Sequence, residues 1–243
     1  MTDADWFAIL DTIPHGAPVP EAGRRAVLES GREIIRARLA EGFDFTRTLD
    51  IGCGIGRYLI GLMALGVPRE QYTGIDCSRE NIDWCRNALL PVIRPEASNP
   101  IVFPSSPADF LHDDVRNGFY NPRGTVDPEQ FTPWWTRSDG LDGRCTAVLL
   151  SSVLTHCGSW RAAHVLVDAA GACCAPGGKI LTTWFQSPPN VATDDCARTV
   201  FTREEIAELI DDLMGVYDCR IVHDSGGETP QWHDQRFIVL EKR

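Results

Sequence analysis

The stretch TLDIGCGIGR, residues 48–57, places an acid ahead of glycine at every second position. Glycine costs chain entropy on folding, so Gly52, Gly54 and Gly56 imply something that must approach the backbone closely. A second acid, Asp76, closes the run YTGID. At the end of a strand beside such a loop, a carboxylate can accept hydrogen bonds from both hydroxyls of a ribose. The competing role for Asp76, capping the next helix, is already suited to Ser78. Two phosphate-binding patterns fail on spacing. G-x-G-x-x-G would need glycine where Arg57 stands, and G-x-x-x-x-G-K-[ST] would need a lysine that is absent.

These residues need a scaffold, and the chain is large enough to build one. It has 243 residues, 43% of them hydrophobic, which suffices for one α/β domain with a sizeable core. Acids outnumber bases 34 to 23, giving a net charge of −11. Such a surface repels a phosphate backbone or an anionic bilayer, so neither nucleic acid nor membrane is expected as a partner. The amino terminus, MTDADWFAIL, carries acids where a secretion signal carries bases, and no run of eighteen apolar residues exists, so a soluble, cytoplasmic protein is expected. The nine cysteines include no C-x-x-C pair and the six histidines no H-x-x-x-H pair. The thiols read as reduced packing residues, and no metal site is expected.

Periodicity alternates between strand and helix. A helix is expected over 21–41, with Val27, Ile34, Ile35 and Leu39 at helical spacing and Gly42 as a stop. RTLDI follows as a strand, then a helix over 58–64, the strand YTGID, and a helix from Ser78 through Ala88 that Pro91 ends. ADFLHDDV (108–115) is a third strand and TAVLLSSV (146–153) a fourth, apolar almost throughout as a doubly covered strand should be. A helix over 159–175 leads to the strand KILTTWF. Thr202 and Glu205 form a capping box for a helix with Ile206, Leu209, Ile210 and Leu213 in one stripe. CRIVHD and RFIVLEK are the last two strands. This order specifies a Rossmann-like, doubly wound, seven-stranded, mostly parallel sheet with an antiparallel last strand. One domain over 1–243 accounts for it, with an N-terminal helical segment over 1–47. The aromatic-rich stretch 117–144 is expected to be an insertion that covers the site.

The spacing D-x-G-x-G-x-G resembles the first motif of class I S-adenosylmethionine-dependent methyltransferases. The resemblance extends through FLHDDVRNGFYNPRG, SSVLTH and APGGKILTTWF, in the family's order, over residues 48–185. It implies S-adenosyl-L-methionine as cofactor. Asp50 would help orient the glycine loop and the cofactor's ammonium group, and Gly52, Gly54 and Gly56 would lie against its methionine and ribose portions. Asp76 would take the ribose, with Cys77 beside it. Asp114 would contact the adenine amino group and the Val115 N–H a ring nitrogen. Ser151 and Ser152, at the end of the fourth strand, would either hold the cofactor's carboxylate or simply end the strand, with Ser151 the candidate. Departures fall elsewhere. The fourth strand is entered through GRCTAVLL instead of a Phe-Asp pair, and the tail appears only loosely, as QWHDQRF.

Methyl transfer needs the acceptor atom in line with the sulfonium at roughly 3 to 3.5 Å, and an attacking hydroxyl gains from losing its proton. His156, just beyond the fourth strand, is placed to be that base; its competing role is to cap the following helix or hold the loop. His112 is a second candidate, which strand alternation places equally well toward solvent or a neighbouring strand. Trp134 and Trp135, adjacent in a proline-flanked loop, would line or cover an acceptor pocket, or pack beneath the loop; His233 is a further substrate-side candidate. Asn121 and Pro122 precede the fourth strand, where the amide N-methyltransferase motif would follow it, so they shape a turn instead. The reading reached is an O-methyltransferase acting on a sugar or secondary metabolite as small-molecule acceptor, with a homodimer as candidate assembly. N-methylation of a small amine, and a cofactor-binding partner protein without turnover, remain alternatives. Aminopropyl transfer is disfavoured, because SSVLTHCG lacks paired acids.

Overall fold

The computed structural model describes residues 1–14, 20–93, 108–112, 141–154, 157, 160–186, 200–226 and 235–243. The parallel core is built from β1 (Arg47–Ile51), β2 (Gln71–Asp76), β3 (Ala108–His112), β4 (Cys145–Leu150) and β5 (Cys174–Gln186). Two further strands, β7 (Cys219–Asp224) and β8 (Arg236–Lys242), complete the path β3-β2-β1-β4-β5-β8-β7. β8 runs antiparallel to both β5 and β7. A two-residue strand, β6 (Val200–Phe201), pairs with β5 off that path and adds an eighth strand to the expected seven. Strand order reverses between β1 and β4, which opens a crevice at their carboxyl ends.

Strand alternation divides the sheet between two helical layers. Leu49, Ile51, Val148, Leu150 and Ile180 pack under α6 (Trp160–Cys173) and α7 (Arg203–Tyr217). Ala147, Leu149, Leu181 and Val239 face α1 (Asp3–Leu10), α2 (Glu21–Ala40), α3 (Arg57–Ala64) and α4 (Arg79–Trp84). Each fully buried Leu or Ile is worth about 1.5 to 3 kcal/mol, so both layers are firmly held.

Four elements differ from the sequence reading. α1, capped by a reciprocal Thr2–Asp5 pair, was not anticipated as a separate helix. Pro91 does not end the helix after β2. A π-turn over Cys85–Leu89 resets the hydrogen bonding, with the Leu90 N–H donating to the Cys85 carbonyl, and α5 (Leu90–Ile93) continues through the proline. α6 stops at Cys173, and β5 begins at once at Cys174. Its ladder pairs Cys145 with Cys174 but Ala147 with Lys179, so Ala175–Gly178 is the excursion that absorbs the Pro-Gly-Gly. β4 ends at Leu150, and Ser151 and Ser152 leave the sheet. The strand expected over 108–115 is described as β3 to His112; the remainder, and most of the 117–144 insertion, lie outside the described residues.

Candidate functional site

The loop after β1 folds back onto β2. The N–H groups of Gly52 and Cys53 both donate to the Ile75 carbonyl, at 2.7 and 3.0 Å, which turns the chain sharply away from the sheet. Two residues on, the Gly54 N–H donates to Asp76 Oδ2 at 2.7 Å, while Asp76 Oδ1 accepts from the Ser78 N–H at 2.7 Å. Ser78 is the N-cap of α4, its hydroxyl accepting from the Asn81 N–H. Asp76 therefore fastens the glycine loop to the tip of β2 and is not the side-chain cap of the helix. Gly56, in the left-handed conformation, is the N-cap of α3.

These turns enclose a cavity of about 320 Å³ over the tips of β2, β1 and β4. Asp50, Gly52, Gly54, Asp76, Cys77 and Ser151 all line it, so the structure brings together six of the residues singled out from sequence. Gly56, at the start of α3, is not among the residues that line it. Asp114, Val115, Trp134, Trp135, His156 and His233 lie outside the described residues, as does the His112 side chain. Sequence reasoning missed Ile34 on α2, Arg57 and Tyr58 in the first turn of α3, and Val153 beyond β4. Tyr58 carried a signal, because the residues opening a helix from a glycine loop face what the loop faces.

Burial controls the ionisation of this site. Asp50 is fully enclosed and accepts a 2.5 Å hydrogen bond from the Tyr72 hydroxyl. Desolvation pushes its carboxyl up to about 7; the Tyr72 bond opposes the shift, and the nearby Asp76 charge adds to it. Burial also raises the Tyr58 hydroxyl, which makes no hydrogen bond among the described residues, although Ser151 lies close enough to offset part of that rise. Burial pushes the Cys157 thiol up to about 12 and holds Cys53 well above the usual thiol range, so neither presents a thiolate to the cavity near neutral pH.

The cradle suits an adenosine thioether. Gly54 lines the cavity, and a Cβ placed on it would meet no protein atom within 4 Å. Asp76 lines the cavity with a carboxylate, the acceptor chemistry that ribose hydroxyls donate to. The amino-terminal end of α3 turns its positive dipole toward the same space, which favours a carboxylate. A family model described as a methyltransferase domain matches residues 24–236. The chain belongs to that family, the class I S-adenosylmethionine-dependent methyltransferases.

Solved structures place this methyltransferase in the same fold. An O-methyltransferase family protein from Burkholderia thailandensis aligns at TM-score 0.54 and 13% identity, covering 90% of this chain and 57% of that one. The chain thus spans little more than half the length of that protein. The 1,6-didemethyltoxoflavin-N1-methyltransferase of the same organism, solved with 1,6-didemethyltoxoflavin and S-adenosylhomocysteine, aligns at TM-score 0.53 and 16% identity over 100% of this chain and 91% of its own. A S-adenosylmethionine-dependent methyltransferase from Methanosarcina mazei aligns at TM-score 0.53 and 16% identity, covering 84% and 96%. At these identities the likeness is one of fold.

Proposed function

We propose that this methyltransferase acts on an oxygen of a small acceptor, a sugar or secondary metabolite, using S-adenosyl-L-methionine held across the tips of β2, β1 and β4. The observation that supports the cofactor half of this reading is the 2.7 Å bond from the Gly54 N–H to Asp76, which joins a bare main-chain loop to a carboxylate able to accept from ribose hydroxyls. Asp76 takes the ribose hydroxyls, with Cys77 packed beside the adenosine. Gly52 and Gly54 present bare backbone to the thioether. Asp50 and Ser151 flank the amino-acid arm, and Gly56 sets the start of α3. Asp114 and Val115 serve the adenine. The bound cofactor supplies an electrophilic methyl group; the protein's part is to hold the acceptor in line and exclude water. His156, following the β4 turn, takes the acceptor's proton, and Trp134, Trp135 and His233 form the acceptor side.

The net charge of −11 favours a small acceptor over a polyanion. The eight free cysteines among the described residues suit a reducing compartment, in keeping with a cytoplasmic enzyme. Exposed Ile221 and Val222 on the edge strand β7 support a homodimer. N-methylation of a small amine is the second reading, favoured by the net charge of −11, which suits a cationic acceptor. Calorimetric titration with S-adenosylhomocysteine tests the cofactor assignment. Wild type should bind it, and Asp76→Ala should lose at least tenfold in affinity, about 1.4 kcal/mol; equal affinities would remove Asp76 from the site. A panel of hydroxyl and amine acceptors, read by release of S-adenosylhomocysteine, separates the two readings.

A further inference from the structure

The wall of the cavity at the tip of β4 is set by residues far away in sequence. Ser151 and Val153 line the cavity with Ser152 between them, and Ser152 sits at φ 59°, the left-handed region that a residue with a Cβ rarely adopts. A strained serine persists only where its surroundings determine it. Two contacts do so. The Ser152 N–H donates to Thr183 Oγ1 on β5 at 2.6 Å. Its hydroxyl meets the Gln235 side-chain amide, accepting from Nε2 at 3.2 Å and facing Oε1 at 3.3 Å. Gln235 is itself buried, at 5% exposure, immediately before β8.

The turn so fixed presses on the glycine loop. A Cβ on Gly52 would stand 2.6 Å from Val153 Cβ, so the bare Gly52 backbone packs directly against the Val153 side chain. One continuous set of contacts thus runs from Gln235 through Ser152 and Val153 to Gly52. The cavity extends from Asp76 at β2, across Gly52 and Gly54 at β1, to Ser151–Val153 at β4. With Asp76 taking the ribose, the β4 end of the cavity would be left for the amino-acid arm of the cofactor.

We infer that Gln235, acting through Ser152, is a positioning residue: it fixes the β4 turn as the wall that receives the amino-acid arm of the cofactor. The inference rests on the cofactor assignment above, and it concerns one end of the ligand only. Its signature is a split between two ligands. S-adenosylhomocysteine carries the amino-acid arm, whereas 5′-methylthioadenosine keeps the adenosine thioether and lacks that arm.

The experiment is calorimetric titration of both ligands against wild type, Gln235→Leu, Ser152→Gly and the double variant, with thermal melts to confirm folding. Ser152→Gly keeps the left-handed backbone while deleting the hydroxyl, and it removes no core group, so it serves if Gln235→Leu does not fold. Each single variant should weaken S-adenosylhomocysteine five- to twentyfold, and the double no more than the stronger single, because both break one contact. Binding of 5′-methylthioadenosine should stay within twofold throughout. Equal weakening of both ligands, or no change in either, overturns the positioning role while leaving the cofactor assignment intact. A wild-type protein that binds neither ligand overturns the cofactor assignment, and the positioning role with it.

Discussion

Gly31 of α2 and Gly61 of α3 meet back to back: a Cβ on Gly61 would stand 2.3 Å from the Gly31 carbonyl oxygen, and one on Gly31 would stand 2.9 Å from the Arg57 carbonyl oxygen. This approach brings α2, with Ile34, and α3, with Arg57 and Tyr58, together as one side of the cavity. Both obstructing groups are backbone, so no side-chain rotation relieves a clash. Gly61→Ala should therefore force the helices apart and cost about 2 to 4 kcal/mol of stability, read by denaturant unfolding. A loss under 0.5 kcal/mol would show that the crossing is loose.

Gly52 and Gly54 are both at positive φ, yet alanine should act differently at each. At Gly54 the added methyl meets no protein atom within 4 Å, on a residue that lines the cavity. Gly54→Ala should cost only about 1 kcal/mol of backbone strain and reduce S-adenosylhomocysteine affinity more than tenfold. At Gly52 the methyl would stand 2.6 Å from Val153, so Gly52→Ala should displace the β4 turn and cost more, about 2 to 4 kcal/mol. Thermal melts paired with calorimetry separate the two effects; the same stability loss at both positions would contradict the assigned geometry.

What the sequence disclosed follows the range of the interactions involved. The Thr202–Glu205 capping box and the Ser78 cap are present because a cap joins residues three apart and needs nothing else. The acid–glycine loop and Asp76 were readable because spacing alone puts them at adjacent strand tips. The Ser152–Gln235 contact was hidden, because it joins residues 83 apart and no propensity rule places serine in the left-handed region. Gly31 and Gly61 were hidden too, since a glycine inside a helix reads as a weakness until the second helix is in place. Pro91 misled for a related reason: its usual effect as a breaker was cancelled by the π-turn just before it.

The buried Asp50 should make stability fall as pH rises. Its carboxyl titrates at about 7 in the folded protein against an ordinary value of 3.8, so between those values the native state binds more protons than the unfolded chain. The cost is absent below about pH 4, grows through this window and is complete above about pH 7. Asp50→Asn keeps an acceptor for the Tyr72 hydroxyl and removes the titration. It should gain roughly 1 to 3 kcal/mol over wild type at pH 8 relative to its standing at pH 5. A ligand ammonium beside Asp50 would favour the charged form. Binding of S-adenosylhomocysteine at pH 6.5 should then release protons, seen as a buffer-dependent heat that Asp50→Asn removes. A pH-independent difference between the two proteins would mean that Asp50 is ionised throughout.

His156 follows the turn that Ser152 anchors, and proton removal from a hydroxyl acceptor by a neutral imidazole near pH 7 contributes typically 10²- to 10⁴-fold. With an acceptor identified by product release, His156→Ala should lower kcat by at least about a hundredfold while S-adenosylhomocysteine affinity stays within twofold. The wild-type kcat should also fall on the acid side as the imidazole takes up a proton, and the variant should lose that limb. If the acceptor is instead an amine that reacts as its free base, the rate falls at low pH in both proteins, because the acceptor itself is being protonated. The pH profile of the variant thus discriminates between base catalysis and transfer by positioning alone. An unchanged kcat in His156→Ala would remove His156 as the base and leave transfer to positioning of the acceptor alone.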